Sequence, residues 1–266
     1  NSTYKGAEEL KIKIEESLNV ATSSLVSSST AINYESMLVE VDELKREGKY
    51  QDALNKIREI KNIEAFPENI QEWGYSLLAD LETLGGNSTY GKELYNKMRS
   101  KWPNSTKAIC GLGTIEALAG KWTEAERFFH QARSMNSQSD IALAGLGLCA
   151  HIAKDTMRAW EWYYEALKYN PENVRALLGV IELGYSCGKL REVEKAIENY
   201  LESHPADLNF IYSLAGCYYA QNKLEDAVEQ INKITLFNPE HEKALELSRM
   251  IEEKRSGSFN IETSKS

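Results

Sequence analysis

The sequence predicts an all-α protein, an α-solenoid of about six helix–turn–helix repeats with a further helix at each end. Three observations lead to this prediction. Four of the five prolines lie on one lattice with a 34-residue spacing, namely Pro103, Pro171, Pro205 and Pro239. Small and bulky side chains recur in columns with the same period. Within each period, apolar residues lie three or four positions apart, which is the spacing of an amphipathic helix. A period of this length is typical of stacked repeats.

The columns combine small side chains with bulky ones that follow later in the same repeat. The small column contains Ala79, Gly113, Gly147 and Ala215, with Ile181 as its exception. The bulky column contains Tyr95, Phe129, Tyr163, Ile197 and Ile231. Because protein interiors are close-packed, we expect the small residues to let the two helices of a repeat approach closely. We expect the bulky residues to fill the groove against the next repeat.

Glycine and proline mark the ends of the predicted helices. Gly48, Gly120 and Gly188 are each followed by lysine and fall where the first helix of a repeat must stop. Glycine adopts the left-handed conformation that often terminates a helix. The second helices end before the Asn-Pro and His-Pro pairs of the lattice, because the residue before proline disfavours the helical conformation. These signals place five repeats at 72–105, 106–139, 140–173, 174–207 and 208–241.

The two ends of the chain depart from this regular repeat. A divergent first repeat, 34–71, carries about four extra residues near Phe66-Pro67. Before it, residues 1–33 are predicted to hold one amphipathic helix, over 5–26, and a Ser-rich linker. The apolar stripe of that helix consists of Ala7, Leu10, Ile14, Leu18, Ala21 and Leu25. It is interpreted either as a cap on the first repeat or as a docking helix for a partner or a neighbouring domain.

Residues 242–254 continue the helical pattern after the last repeat, with apolar and acidic residues on opposite sides. They are predicted to form a C-terminal capping helix, since the end of a stack of repeats needs a polar outer face. Residues 255–266 are polar, with Gly and Ser, and are predicted to form a disordered tail.

Three repeats carry the same packing residues at matching positions. In the clearest repeat they are Leu146, Gly147, Ala159, Tyr163, Ala166 and Pro171. In two others they are Leu112, Gly113, Gly120, Trp122, Ala125, Phe129 and Ala132, and Leu214, Ala215, Tyr218, Ala227 and Pro239. This pattern resembles the tetratricopeptide repeat (TPR) family, over 34–241 of the chain. The resemblance implies a right-handed superhelix that binds proteins and is defined by packing residues rather than by a catalytic site.

Composition excludes several classes of partner. The chain has 40 acidic and 31 basic side chains and a formal net charge of −9, which argues against nucleic acid and against an anionic membrane surface. No apolar run approaches the roughly 20 residues of a membrane span.

The four cysteines, Cys110, Cys149, Cys187 and Cys217, contain no CxxC pair. They are interpreted as packed, reduced thiols, which favours a cytoplasmic location. A bacterial envelope location is the alternative, if a signal sequence has been removed.

No residue constellation with catalytic or metal-ligand spacing is found. Cys149 and His151 lie two positions apart on one helix, so their side chains diverge. The Gly-Leu-Gly segments at 111–113 and 145–147 lie inside predicted helices and neither follows a strand. We therefore expect no enzyme, no cofactor and no metal.

The resemblance places a binding surface on the concave side, which is lined by outward residues of the first helices. The candidate residues are Trp73, Lys107, His151, Arg175, Glu182, Tyr185, Asn209, Tyr212 and Tyr219. Tyrosine offers rigid apolar area with a hydrogen-bonding tip, and arginine and asparagine can hold a peptide backbone. The predicted function is a non-catalytic scaffold that binds a peptide or helix of a partner protein. That partner is not identified, and self-association is left open.

Two alternatives remain at this point. In the first alternative to the scaffold, the chain is the repeat region of a larger enzyme or signalling protein, such as a transferase or response regulator. In the second, it is a bacterial envelope assembly factor.

Overall fold

The computed structural model describes residues 34–60 and 63–263, and for 257–263 only the backbone. All regular secondary structure in these ranges is helical, which confirms the predicted all-α repeat fold. The predicted helix over 5–26 lies outside the described residues. Helices α1 to α13 span, in order, 34–46, Tyr50–Glu59, Glu68–Leu84, Ser88–Lys101, Thr106–Leu118, Trp122–Met135, Asp140–Ile152, Thr156–Tyr169, Val174–Ser186, Leu190–Ser203, Leu208–Ala220, Leu224–Phe237 and Glu242–Thr263. A 3₁₀ turn at Ile63–Ala65 precedes α3.

The chain divides into two compact halves. The N-terminal half ends at Ala119 and the C-terminal half begins at Gly120. The first therefore holds α1 to α5, and the second holds α6 to α13. In the C-terminal half one continuous cluster of buried side chains runs from α7 to α13, in which each second helix packs on the first helix that follows it. A core of this kind, shared between neighbours, is what stacked repeats require.

The first helices end in a left-handed residue at one position of the lattice. Gly120 has φ 73° and Gly188 has φ 68°, as the glycine pattern predicts. At the equivalent places Lys154 has φ 62° and Asn222 has φ 61°. Asparagine tolerates this conformation, whereas lysine adopts it at a cost of about 1–2 kcal/mol.

Aromatic side chains of the second helices pack against glycines of the next repeat. A Cβ added at Gly111 would lie 2.2 Å from Cε1 of Tyr95, and one at Gly145 would lie 2.5 Å from Cδ1 of Phe129. The bulky residues thus pack on a second set of glycines in the next repeat. These glycines, Gly111 and Gly145, lie two residues before Gly113 and Gly147 of the small column. These glycines admit the rings because any side chain would overlap them.

Two ion pairs in the N-terminal half lie at equivalent positions of successive repeats, 34 residues apart. Arg58 donates to Glu82 at 2.7 and 2.8 Å, and Lys92 donates to Glu116 at 2.5 Å. Both carboxylates are buried on a first helix, and both cations lie on the preceding second helix. A buried carboxylate needs such a partner, because an isolated charge is poorly solvated in the interior.

The C-terminal helix differs in length from the prediction. Helix α13 runs over Glu242–Thr263, so the prediction of a disordered tail is wrong for residues 255–263. Extending a helix costs little once its first turns are formed, and here they are fixed by the buried Ala244 and Leu247. Leu245 is 42% exposed, although the equivalent Ile211 is buried, because no second helix covers α13 within the described residues.

Candidate functional site

The first helices of the C-terminal half begin at equivalent residues. Ser139, Asn173 and Asp207 precede α7, α9 and α11, and the side chain of each accepts a hydrogen bond from the backbone N–H three residues later. Such N-caps fix where a helix starts. Because the caps lie 34 residues apart, residues at the same lattice position lie at the same register of successive helices.

We call the outward side chains of these three helices the first-helix face. It comprises Ile141, Leu148, His151, Arg175, Leu178, Glu182, Tyr185, Asn209, Tyr212 and Tyr219. None of its members is buried. Leu178 is 54% exposed and Ile141 is 46% exposed, so the face has apolar as well as polar area open to solvent.

Seven of the nine predicted binding residues lie on the first-helix face. The other two, Trp73 and Lys107, lie in the N-terminal half, on α3 and α5. Trp73 is half-buried and Lys107 is exposed. Trp73 and Lys107 thus belong to the other compact unit, and the site in the C-terminal half consists of the remaining seven residues.

Two contacts connect α7, α9 and α11 across the face. Nε2 of His151 lies 3.8 Å from Oε1 of Glu182, which joins α7 to α9 when the histidine is protonated. The hydroxyl of Tyr185 lies over Gly216, where an added Cβ would be 3.5 Å from it, and so α9 contacts α11. Burial raises the pKa of Tyr185 to about 12, with smaller contributions from Cys217 and Tyr212. Tyr185 therefore stays neutral and available as a hydrogen-bond donor at physiological pH.

The tyrosines of α11 contact the last helix and the turn before it. The rings of Tyr212 and His241 have centroids 5.9 Å apart. Nζ of Lys254 lies 4.5 Å from the ring centroid of Tyr219 and donates to the carbonyl of Tyr219 at 3.5 Å. A lysine over an aromatic face is attracted by the ring quadrupole. These contacts orient both tyrosines while leaving them half-buried rather than covered.

A small cleft of about 310 Å³ opens beside Tyr212 at the start of α11 and α13. Its lining includes Asn209, Asn238 and His241. His241 also accepts a hydrogen bond from the N–H of Ala244 at 3.1 Å and so takes the place of the N-cap in the preceding repeats. His241 and Lys254 are not among the residues predicted from the sequence, although His241 lies 34 residues after Asp207 and the lattice could have identified it.

Arg175 contributes the positive charge of the face. Burial raises the pKa of Tyr163 to about 12, and the nearby charge of Arg175 opposes part of this rise. Within the described ranges Arg175 makes no ion pair. The guanidinium is exposed and keeps its five donors in a planar fork.

The residues that the structure describes form no metal site. No group of three or more His, Cys, Asp or Glu side chains in this part of the chain could hold a metal ion. Burial raises the pKa of Cys149 to about 11 and also raises that of Cys217, so both thiols stay protonated. Cys187 is only half-buried, at the end of α9, so the expectation of four packed thiols is wrong for this one. None of the described helices is both long and apolar enough to span a bilayer.

Comparison with known proteins agrees with the repeat pattern. Two sequence models of the tetratricopeptide repeat match the chain, one over residues 110–174 and the other over 188–251. No curated protein sequence matches the chain.

Solved structures with low sequence identity share the fold. The structure of PilF from Pseudomonas aeruginosa is 16% identical, with a TM-score of 0.55 over 73% of this chain and 90% of that one. Cut9–Hcn1, a hetero-tetramer of the APC/C, is 13% identical, with a TM-score of 0.57 over 81% of this chain and 42% of that one. Naa15/Naa10 bound to HypK is 19% identical, with a TM-score of 0.54 over 70% and 29%.

The paired helices, their 34-residue register and the two sequence matches lead to the same assignment. The low-identity structures add that the fold itself is that of a helical repeat. The chain carries tetratricopeptide repeats, which the family models match over residues 110–174 and 188–251.

Proposed function

We propose that the protein is a non-catalytic scaffold that binds a peptide or helix of a partner protein on the first-helix face. Proteins with this repeat generally act in protein–protein interactions rather than in catalysis. The residues proposed to contact the partner are His151, Arg175, Glu182, Tyr185, Asn209, Tyr212 and Tyr219. Trp73 and Lys107 remain proposed contacts of the N-terminal half.

The observation that carries this proposal is the row of three tyrosines on neighbouring helices. Tyr185 on α9 and Tyr212 and Tyr219 on α11 are each partly open to solvent. Each is held by a neighbour, namely Gly216, His241 and Lys254 respectively. Tyrosines that are rigid and accessible lose little entropy on binding and are enriched at interfaces.

The chemistry of the face favours a ligand segment with apolar side chains. Leu178 and Ile141 are about half exposed, and the imidazole of His151 lies 3.8 Å from the carboxylate of Glu182. Arg175 and Asn209 occupy the lattice position of Ile141, one helical turn before Leu178 and Tyr212. From there they can donate to backbone carbonyls of the ligand. A segment that presents leucine, phenylalanine or methionine toward the tyrosines fits this arrangement.

The proposed location is the cytoplasm. Support comes from Cys110, Cys149 and Cys217, which are buried as free thiols, as expected of a protein kept under reducing conditions.

Affinity capture with the full chain tests the scaffold function. The variant Leu178→Ser with Tyr185→Ser alters the face, and Leu236→Ser with Phe237→Ser is the matched control. Leu236 and Phe237 are 79% and 67% exposed, so the control also removes open apolar area, but at the end of α12. A partner retained by the wild type and the control but lost by the face variant supports the proposal. A partner lost only by the control contradicts it.

A further inference from the structure

The second helix of the first repeat is one turn shorter than those that follow. Helix α2 has 10 residues, whereas α4, α6, α8, α10 and α12 have 14 each. Aligning Gly48 with Gly86 places Ile60 opposite Met98. Met98 is fully buried inside α4, but Ile60 lies beyond the end of α2 and is only half-buried. The position that the last turn of α4 occupies in the second repeat therefore has no helical counterpart in the first repeat.

The missing turn leaves a groove of about 660 Å³ in the N-terminal half. Its apolar lining comes from α2, the 3₁₀ turn, α3 and α4, and consists of Ile57, Ile60, Ile63, Leu78 and Leu94. We call it the α2–α4 groove. Tyr90 stands at its side and is 41% exposed. Apolar area of this kind, partly open to water, gains free energy when another apolar surface covers it.

Ion pairs hold the walls of the α2–α4 groove in place. Arg58 of α2 is bound to Glu82 of α3, and Lys97 of α4 lies 2.9 Å from Glu64 in the 3₁₀ turn. The first pair joins α2 to α3 and the second joins α4 to the 3₁₀ turn. Tyr75 of α3 donates to Glu64 at 2.7 Å and so connects the two pairs. The groove is therefore built into the fold and does not depend on the position of one loose side chain.

The N-terminal segment leaves the described structure beside this groove. Tyr34 is the first described residue, and its ring stacks on Phe66 with centroids 4.6 Å apart. Phe66 and Ile63 both lie against Gly74, where an added Cβ would be 3.0 and 3.2 Å from them. Ile63 lines the groove. The seven linker residues 27–33 can span up to about 23 Å when extended, so the segment before them is within reach.

That segment has the chemistry of an occupant. Residues 5–26 carry six apolar residues at helical spacing, with lysines and glutamates between them. An isolated helix of this size is marginal in water and becomes stable when its apolar stripe is covered. We propose that residues 5–26 bind as an amphipathic helix in the α2–α4 groove of the same chain and complete the first repeat.

Photo-crosslinking in the full chain tests this docking. The photo-reactive amino acid p-benzoylphenylalanine replaces Tyr90 in the groove or, as the control, Tyr50. Tyr50 is 46% exposed at the start of α2 and does not line the groove. Mass spectrometry of the digested monomer should find position 90 linked to peptides from residues 5–26, and position 50 not so linked.

Variants of the N-terminal segment provide the second readout. Leu10→Glu with Leu18→Glu should lower the yield of the crosslink at least tenfold, whereas Glu9→Gln with Glu16→Gln on the polar side should leave it unchanged. Circular dichroism checks that the polar-side variant keeps its helical content and that the leucine variant loses no more helix than residues 5–26 can contribute. Crosslinks from position 90 that avoid 5–26, an absence of any crosslink, or products of twice the chain mass would overturn docking within one chain.

Discussion

The ring of Tyr163 lies between Gly147 of α7 and Gly179 of α9. A Cβ added at Gly147 would be 2.6 Å from Cδ1 of the ring, and one at Gly179 would be 2.4 Å from Cδ2. Tyr163 is 2% exposed. One aromatic side chain of a second helix thus fixes the distance to the first helix of its own repeat and to that of the next.

This contact predicts that Gly179→Ala destabilises the protein. The added methyl group overlaps the ring, and overpacking of this kind costs about 2 kcal/mol. Gly216→Ala is the matched control, because its Cβ would make an ordinary contact with the hydroxyl of Tyr185 at 3.5 Å. Alanine is the better helix former by about 1 kcal/mol, so the control should be neutral or stabilising. Urea denaturation measures both, and equal effects would show that Gly179 is not a packing position.

Lys154→Gly is predicted to stabilise the protein by about 1 kcal/mol. Lys154 has φ 62° where the other first helices that end at this lattice position use glycine or asparagine. Glycine removes the steric cost of that conformation. Lys154→Ala removes the charge but keeps the cost, so its melting temperature should stay near that of the wild type. If alanine stabilised as much as glycine, the charge and not the backbone would be the cause.

Substitution of Arg58 should destabilise the first repeats, because it leaves a buried carboxylate without its cation. Glu82 is 2% exposed and receives two hydrogen bonds from Arg58. In Arg58→Met the carboxylate keeps only Asn87 as a neighbouring side-chain donor among those described, and we expect a loss of about 2 kcal/mol. The double variant Arg58→Met with Glu82→Met should recover most of it. A double variant as unstable as the single one would contradict this explanation.

The stability of the N-terminal half should fall in acid through Glu64. Hydrogen bonds from Lys101, Tyr75 and Lys97 lower the pKa of Glu64 to about 2. A carboxyl group with a lowered pKa stabilises the fold above its unfolded pKa of about 4.3 and loses that contribution as the pH falls toward 2. Melting temperatures between pH 5 and pH 2 should decline less steeply in Glu64→Gln than in the wild type. Parallel curves would contradict the assignment.

Thiol labelling should separate Cys187 from the other cysteines. Cys187 is half-buried, whereas Cys110, Cys149 and Cys217 are buried. A maleimide reagent should label one thiol in the native protein and four after unfolding, and Cys187→Ser should abolish the native labelling. Rapid native labelling that persists in Cys187→Ser would show that a thiol described as buried is accessible.

The proline and glycine lattice predicted the helical repeat because helix ends have strong residue preferences. Gly120 and Gly188 terminate helices in the left-handed conformation as expected. Lys154 also ends a helix in the left-handed conformation, but lysine is not a residue type that predicts it. Only its position on the 34-residue lattice could have indicated this conformation. The bulky column predicts that Tyr95 and Phe129 pack against the next repeat, but not that they contact Gly111 and Gly145 there, because the sequence does not show how helices of successive repeats are offset.

The candidate site was predictable as a set of positions but not as a set of contacts. The register places Tyr185, Tyr212 and Tyr219 on neighbouring first helices. The approach of Tyr185 to Gly216 and of Lys254 to Tyr219 depends on tertiary packing. The loss of one turn from α2 was also missed, since extra residues near Phe66-Pro67 indicate an insertion and not which helix shortens.

The binding of an isolated partner segment to the full chain tests the scaffold proposal most directly. A synthetic peptide that reproduces the binding segment of a captured partner, mapped by truncation of that partner, is titrated against wild type, Tyr185→Ser with Tyr212→Ser, and the control Leu236→Ser with Phe237→Ser. The tyrosine variant should bind at least tenfold more weakly, about 1.4 kcal/mol or more, and the control should bind like the wild type. An unchanged Kd in the tyrosine variant would contradict binding on the first-helix face.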